Sequence, residues 1–148
     1  DLRASVCELV VKGLKSLERK ALNECVADYE SERVYLRGYC MSPGVRFCFG
    51  LWVGVRVYAL FRLHKGDMDD FVQWPFQPRV KLRVVHPKGG EELEIVEEAV
   101  PLFLSLKRPQ VGSGQGPYVS KDHSYLALFY DGCYLQDDEL RIKLEIGM

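Results

Sequence analysis

The sequence predicts an all-β domain: an antiparallel sandwich of seven or eight short strands, with one short helix laid over its mouth before Trp74-Pro75-Phe76. Three observations lead there. Apolar residues recur at every second position in several separate runs, most regularly where Leu140, Ile142, Leu144 and Ile146 alternate with Arg141, Lys143 and Glu145. Turn residues interrupt these runs at short intervals: Met41-Ser42-Pro43-Gly44, Gly54, Pro87-Lys88-Gly89-Gly90 and Asp131-Gly132. A chain of 148 residues suits one domain that buries roughly 70% of its unfolded surface, so no staple is required.

Taken in order, residues 5–12 read as a strand because Cys7, Leu9 and Val11 alternate with Val6, Glu8 and Val10. The competing reading is a loose helical stripe over 4–29 through Leu9, Leu14, Leu17, Leu22 and Cys25, which Gly13 interrupts. On the strand reading, the charged section Lys15 to Glu24 is a loop or surface element. Arg33 to Tyr39 gives a second strand that Met41-Ser42-Pro43-Gly44 ends, and Phe47, Phe49 and Leu51 mark a third. Gly54 turns the chain into the fourth, where Val57, Ala59, Phe61 and Leu63 face a core. Lys65-Gly66 breaks that strand. Asp67 then stands as an N-cap with Asp70 in the first turn, and Met68, Phe71 and Val72 share one side of a short helix. Pro75 ends it, leaving Trp74 and Phe76 as a plug of two large rings.

After the plug, Val80, Leu82 and Val84 point inward, and Leu93 and Ile95 begin another short strand whose flanking acids read as a solvated face. The Pro- and Gly-rich tract 101–120 reads as a short apolar strand to Leu106, a loop through Gly116 and a return near Tyr118. Tyr125, Ala127 and Phe129 offer one more strand register before the last strand.

Composition excludes several classes. A formal charge of -1, with both signs mixed along the chain, gives no footprint for nucleic acid or an anionic membrane. No apolar run reaches the roughly 20 residues that span a bilayer, so no membrane insertion and no secretory leader are expected. The chain starts without a methionine and reads as an excised fragment. Five scattered cysteines suit a reduced, cytoplasmic chain, with two bridges and a free thiol as the alternative. The three histidines, His64, His86 and His123, lack ligand-spaced cysteines, so no metal or other cofactor is expected. Gly112, Gly114 and Gly116 form a turn-rich loop and not a phosphate cradle, and Asp137-Asp138 is a solvated turn before it is an acid–base pair. Ser105 and Ser113 lack a nucleophile elbow. Catalysis is therefore unsupported, and recognition remains. An edge strand of such a sandwich takes a peptide by main-chain hydrogen bonds. Trp52, Tyr58, Leu60 and Tyr118 would line that strip, with Arg46 and Arg62 reading a carboxylate; core packing and ordinary ion pairs are the plainer reading of each. Exposure of Trp52 and Leu60 would favour a groove, and their burial under the arginines would argue against one.

The run LFRLHKGDMDDFVQWPFQPRVKLRVV resembles the TRAF-C or MATH domain of tumour necrosis factor receptor-associated factors. Leu106-Lys107-Arg108-Pro109 is similar to the family's Phe-Gln-Arg-Pro, and Tyr134-Leu135-Gln136-Asp137-Asp138-Glu139-Leu140 to its Tyr-Val-Lys-Asp-Asp-x-Leu. These matches carry the resemblance over residues 57–146, whereas the first 56 match in layout rather than letters. What the resemblance implies is a single domain over 1–148, an eight-stranded sandwich and a non-catalytic adaptor of cytosolic signalling. Its partners would be receptor tails or adaptor proteins carrying short linear motifs. A coiled coil and a RING ubiquitin ligase domain would lie upstream, the former making a homotrimer. The implied peptide-binding set is Gly50, Trp52, Tyr58, Leu60, Arg62, Ser105, Leu106 and Tyr118. Gly50 and Trp52 replace the family's Arg-x-Tyr pair, Leu60 replaces a groove phenylalanine, and Phe103-Leu104-Ser105 replaces three glutamine-reading serines. The loop before Tyr118 is closer to members reading Pro-x-Glu-x-x-aromatic or acidic ligands, although Gly116 lacks their phenylalanine. The implied structural set is Phe61, Trp74, Pro75, Phe76, Arg108, Pro109, Asp137 and Asp138. The same resemblance admits two other roles: a divergent domain whose groove has decayed and that acts in trimer assembly or folded-partner binding, and a MATH substrate adaptor for ubiquitination.

Overall fold

The structure is a computed structural model that describes residues 4–98, 103–111 and 115–147. Among the described residues nine strands form two antiparallel sheets. One sheet orders β1 (Val6–Lys12), β9 (Glu139–Gly147), β6 (Arg79–Val85) and β7 (Leu93–Glu98). The other orders β2 (Val26–Glu30), β4 (Tyr39–Gly50), β5 (Gly54–His64) and β8 (Tyr118–Tyr125), with the short β3 (Val34–Leu36) paired to the start of β4. Strict alternation builds the core between them. Leu140, Ile142, Leu144 and Ile146 of β9 and Val80, Leu82 and Val84 of β6 are buried against Val45, Phe47, Val57, Ala59, Phe61 and Leu63 of the opposite sheet.

Gly13 separates the two competing readings of the N-terminal segment, and both elements exist. Residues 6–12 are β1; at φ +73 the glycine then turns the chain into helix α1, Leu14–Glu24. The charged section is thus a helix and not a loop. Leu14, Leu17 and Ala21 fall on one stripe that packs against the core, while its lysines, arginine and glutamates supply helix propensity outside. Asp138, distant in sequence, closes its N-terminus: its Oδ1 accepts from the Lys15 N–H at 2.9 Å, and its carbonyl accepts from Gly13 and Leu14.

The expected second strand, 33–39, is divided between β3 and the start of β4, and the turn expected at Met41-Ser42-Pro43-Gly44 lies inside β4. The break lies earlier, at Arg37-Gly38, where both residues have positive φ and join β3 to β4. β4 then runs through Pro43 and Gly44. The Pro43 carbonyl accepts from Ser31, and Gly44 is required because a Cβ there would lie 1.8 Å from the Tyr29 carbonyl oxygen of β2. β2 itself escapes the sequence pattern: only Ala27 and Tyr29 turn inward, between Asp28 and Glu30.

Three further local expectations are corrected. The predicted helix after β5 is a single 3-10 turn, Asp69–Phe71; Asp69 rather than Asp67 makes the closing bond, its Oδ2 accepting from Gly66 N–H at 3.0 Å, and Phe71 is 77% exposed. The apolar stretch ending at Leu106 is also a 3-10 turn, Leu104–Leu106, and its start lies outside the described residues. The register Tyr125, Ala127, Phe129 becomes helix α2, Leu126–Asp131, because Leu126 and Phe129 bury one helical face instead.

The plug has a ring at its centre that the sequence reading did not include. Tyr39 packs edge-on against Trp74 and Phe76, at 5.2 and 4.7 Å, and its hydroxyl donates to the Gln73 carbonyl. Phe76 is fully buried beside Phe61; Trp74 is half-buried, with its Nε1–H donated to the Asp69 carbonyl at 2.8 Å. The Trp74-Pro75 peptide is cis. Among the described residues no helix is long and apolar enough to cross a membrane.

Candidate functional site

β5 turns Val57, Ala59, Phe61 and Leu63 into the core, so Arg56, Tyr58, Leu60, Arg62 and His64 lie on the outer face of its sheet. Pairing completes three rungs across four strands: Val26–Cys48–Arg56–Tyr125, Asp28–Arg46–Tyr58–His123 and Glu30–Gly44–Leu60–Val119. Arg46 holds Asp28 through two bonds of 2.7 and 2.8 Å, and Arg62 holds Glu30 through bonds of 2.8 and 3.1 Å. Each bond to a carboxylate pushes its guanidinium pKa further up. Arg62 reaches diagonally across the Gly44 rung to Glu30. Tyr58, His123 and Tyr125 form a ladder of rings at 5.1 and 5.3 Å, with Arg56 over Tyr58. Beyond Arg62, His64 Nε2 and the Ser42 hydroxyl are hydrogen-bonded at 2.8 Å, and burial, followed by Arg33 and Arg62, lowers the His64 pKa.

The expected residues fall into two groups. Arg62 and Ser105 are joined at one end by a residue the sequence reading did not assign to the site, Gln115. Its carbonyl accepts from Arg62 Nη1 at 2.7 Å, and its amide donates to the Ser105 and Lys107 carbonyls. Tyr118 is 3% exposed, its ring between Phe61 and Phe103; Leu106 is buried too. Leu60 points to the same outer face but is 0% exposed, so it is covered there. Gly50 and Trp52 lie elsewhere. Gly50 pairs with Gly54 at the strand end, and Leu51-Trp52-Val53 forms the hairpin tip, where Trp52 is 96% exposed. Eight residue steps separate Gly54 from Arg62, so the tip is about 26 Å along β5 from the Gln115 cluster. The β4 positions that face Tyr58 and Leu60 are Arg46 and Gly44. Arg108 pairs with Asp70 at 2.6 Å beside the plug, Pro109 is buried, and Asp137 and Asp138 both have positive φ in the turn that caps α1.

The edge strand β8 is not a continuous template. Between its pairs with β5, β8 advances four residues, Val119 to His123, while β5 advances two, Leu60 to Tyr58, so two β8 residues bulge out. The bulge satisfies itself. The Ser120 hydroxyl accepts from Ala59 N–H at 3.0 Å and donates to the Asp122 carbonyl. The Lys121 N–H is donated to the carboxylate of Glu97 on β7, an acid that sequence reasoning assigned to the solvated face and that is only 9% exposed. Its register gave a signal, since Leu93, Ile95 and Glu97 occupy the same side of β7.

Among the described residues no group of three or more His, Cys, Asp or Glu is placed to hold a metal ion. The arrangement is a sandwich that offers a surface of rings, paired charges and a strand edge, and defines an interaction module. The chain belongs to the TRAF/meprin MATH domain family, whose description matches residues 39–143, from the start of β4 into β9. It is therefore a protein-interaction domain and not a catalytic one. It is 33% identical to mouse TNF receptor-associated factor 5 and 26% identical to the human protein, over 74% of this chain in each case. Identity to rat TNF receptor-associated factor 6 is 22% over the same share. The chain spans about a fifth of the length of these relatives, 21 to 23%. In fold it is similar to the solved Notothenia coriiceps TRAF5, with a TM-score of 0.75 at 17% identity, covering 97% of this chain and 73% of that one.

Proposed function

We propose that this domain serves a cytosolic signalling adaptor by binding extended segments of receptor tails or adaptor proteins across the outer face of the β5 sheet. The bound segment runs along the β8 side, from the Gln115 cluster towards the hairpin tip. The observation that carries this reading is the solvent-facing ring series. Tyr58, His123 and Tyr125 stand in one ladder beside an edge strand, and Trp52 at the end of the same hairpin is 96% exposed. A large ring left in water by a domain whose family works by protein interaction is a natural hot spot. The test is an array of overlapping peptide segments from receptor tails and adaptors, with hits confirmed by calorimetry on wild type and Trp52→Ala. Hits sharing a core motif, weakened about tenfold or more by the truncation, are the expected result. Silence from a folded domain overturns the reading.

A second reading has its own observations. Leu60 is covered, Arg46 and Arg62 are occupied by β2 carboxylates, and β8 is bulged at its centre. These favour a surface that works through assembly or folded partners. Array silence together with concentration-dependent association in sedimentation would support it.

A further inference from the structure

We infer that Arg56 is an acid-reading position of the proposed groove, pairing with an aspartate or glutamate side chain of the bound segment at the hairpin end of the outer face. The inference rests on the peptide-binding reading above and adds a ligand chemistry to it. β4 and β5 carry three arginines, Arg46, Arg56 and Arg62, and alternation turns all three to the outer face. β2 answers two of them, since Asp28 holds Arg46 and Glu30 holds Arg62. At the remaining rung β2 offers Val26 and β8 offers Tyr125, so neither neighbouring strand supplies a carboxylate. Among the described residues Arg56 forms no ion pair, and its Nε is buried without a hydrogen-bond partner. An N–H withdrawn from water without an acceptor carries an uncompensated desolvation penalty, and a carboxylate brought by a ligand removes it.

The side chain is already placed for this. Its guanidinium carbon stands over the Tyr58 ring, 6.0 Å from the ring centre, and a Cβ at Gly50 would lie 3.7 Å from its Nη2. The group thus lies across the outer face between the ring ladder and the end of β4, where the absence of a side chain at Gly50 leaves it room. A guanidinium set over a ring keeps its in-plane N–H donors, the ones that grip a carboxylate as a fork. Asp122, the acid of β8, does not compete for them: its Oδ1 accepts from the His123 N–H, and it forms no ion pair with Arg56. Lys121 on the same strand is likewise in no ion pair among the described residues, so the β8 side of the face keeps uncommitted positive charge.

The array hits, titrated into the whole 148-residue chain, test this. In each hit the acidic residues are replaced one at a time by their amides, and every pair is measured against wild type and Arg56→Gln. One acidic position should matter to wild type by about tenfold or more, and Arg56→Gln should bind the acid and amide forms equally. Because no carboxylate of the domain depends on Arg56, the unliganded variant should unfold within a few degrees of wild type. Hits with no acidic requirement, a requirement that survives Arg56→Gln, or a larger fall in the Tm of that variant overturn the role of Arg56 while leaving the groove intact. An array without hits overturns the groove and this inference with it.

Discussion

Gly44→Ala is the perturbation that examines the outer face most directly. An alanine Cβ would lie 1.8 Å from the Tyr29 carbonyl oxygen and 2.8 Å from its carbonyl carbon, both backbone atoms of β2. Real Cβ contacts do not fall below 3.0 Å, so β2 must retreat by at least 3.0 − 1.8 = 1.2 Å. A retreat of that size takes the adjoining cross-strand hydrogen bonds beyond their reach. Two such bonds at about 1 kcal/mol each, with about 1 to 2 kcal/mol of overpacking, give a loss of about 3 to 4 kcal/mol. For a chain of this size that corresponds to a fall of about 10 °C in Tm. Because Asp28 and Glu30 move with β2, Arg46 and Arg62 lose their partners and the outer face changes its charge pattern. Urea unfolding gives the stability, and amide exchange over Val26–Glu30 shows whether β2 has detached. Gly89→Ala is the control: its glycine has φ +77 but nothing within 4 Å, so it pays only left-handed strain of about 1 to 2 kcal/mol. A loss below about 1 kcal/mol at Gly44, with β2 exchange unchanged, would refute the close-approach argument.

Tyr118→Ala should cost about 3 to 5 kcal/mol, because the ring is buried between Phe61 and Phe103; a near-neutral variant in urea unfolding would place the ring on the surface instead. His64 should make stability fall with acid. Its folded pKa lies below the ordinary value of 6.5, so the unfolded chain takes up the proton first; the contribution is present above pH 6.5 and lost as pH falls through the folded value. Unfolding free energies of wild type and His64→Gln, measured between neutral and mildly acid pH, should converge on the acid side, and a constant difference would show that the imidazole does not titrate in this way.

Legibility followed the range of the interaction. The runs around Leu82, Phe61 and Ile142 were readable because alternation is a property of adjacent residues, and the Trp74-Pro75-Phe76 plug because its residues are contiguous. Helix α1 was half legible. Its apolar stripe was visible, but what terminates its N-terminus is Asp138, distant in the chain. Pro43-Gly44 misled because the same letters that make a turn also make a strand that another strand must approach closely; only the position of Tyr29 tells the two apart.

By itself the sequence determined a period-two chain of short strands and the family to which it belongs. These are local facts, written in residue order. The tertiary structure decided that Leu60 and Tyr118 are covered while Trp52 stands in water, that Arg46 and Arg62 are already paired, and that Glu97 is a buried carboxylate beside β8 rather than a solvated one. Burial and charge pairing depend on which strands become neighbours, and β7 meets β8 across a connection whose length and letters do not specify the contact.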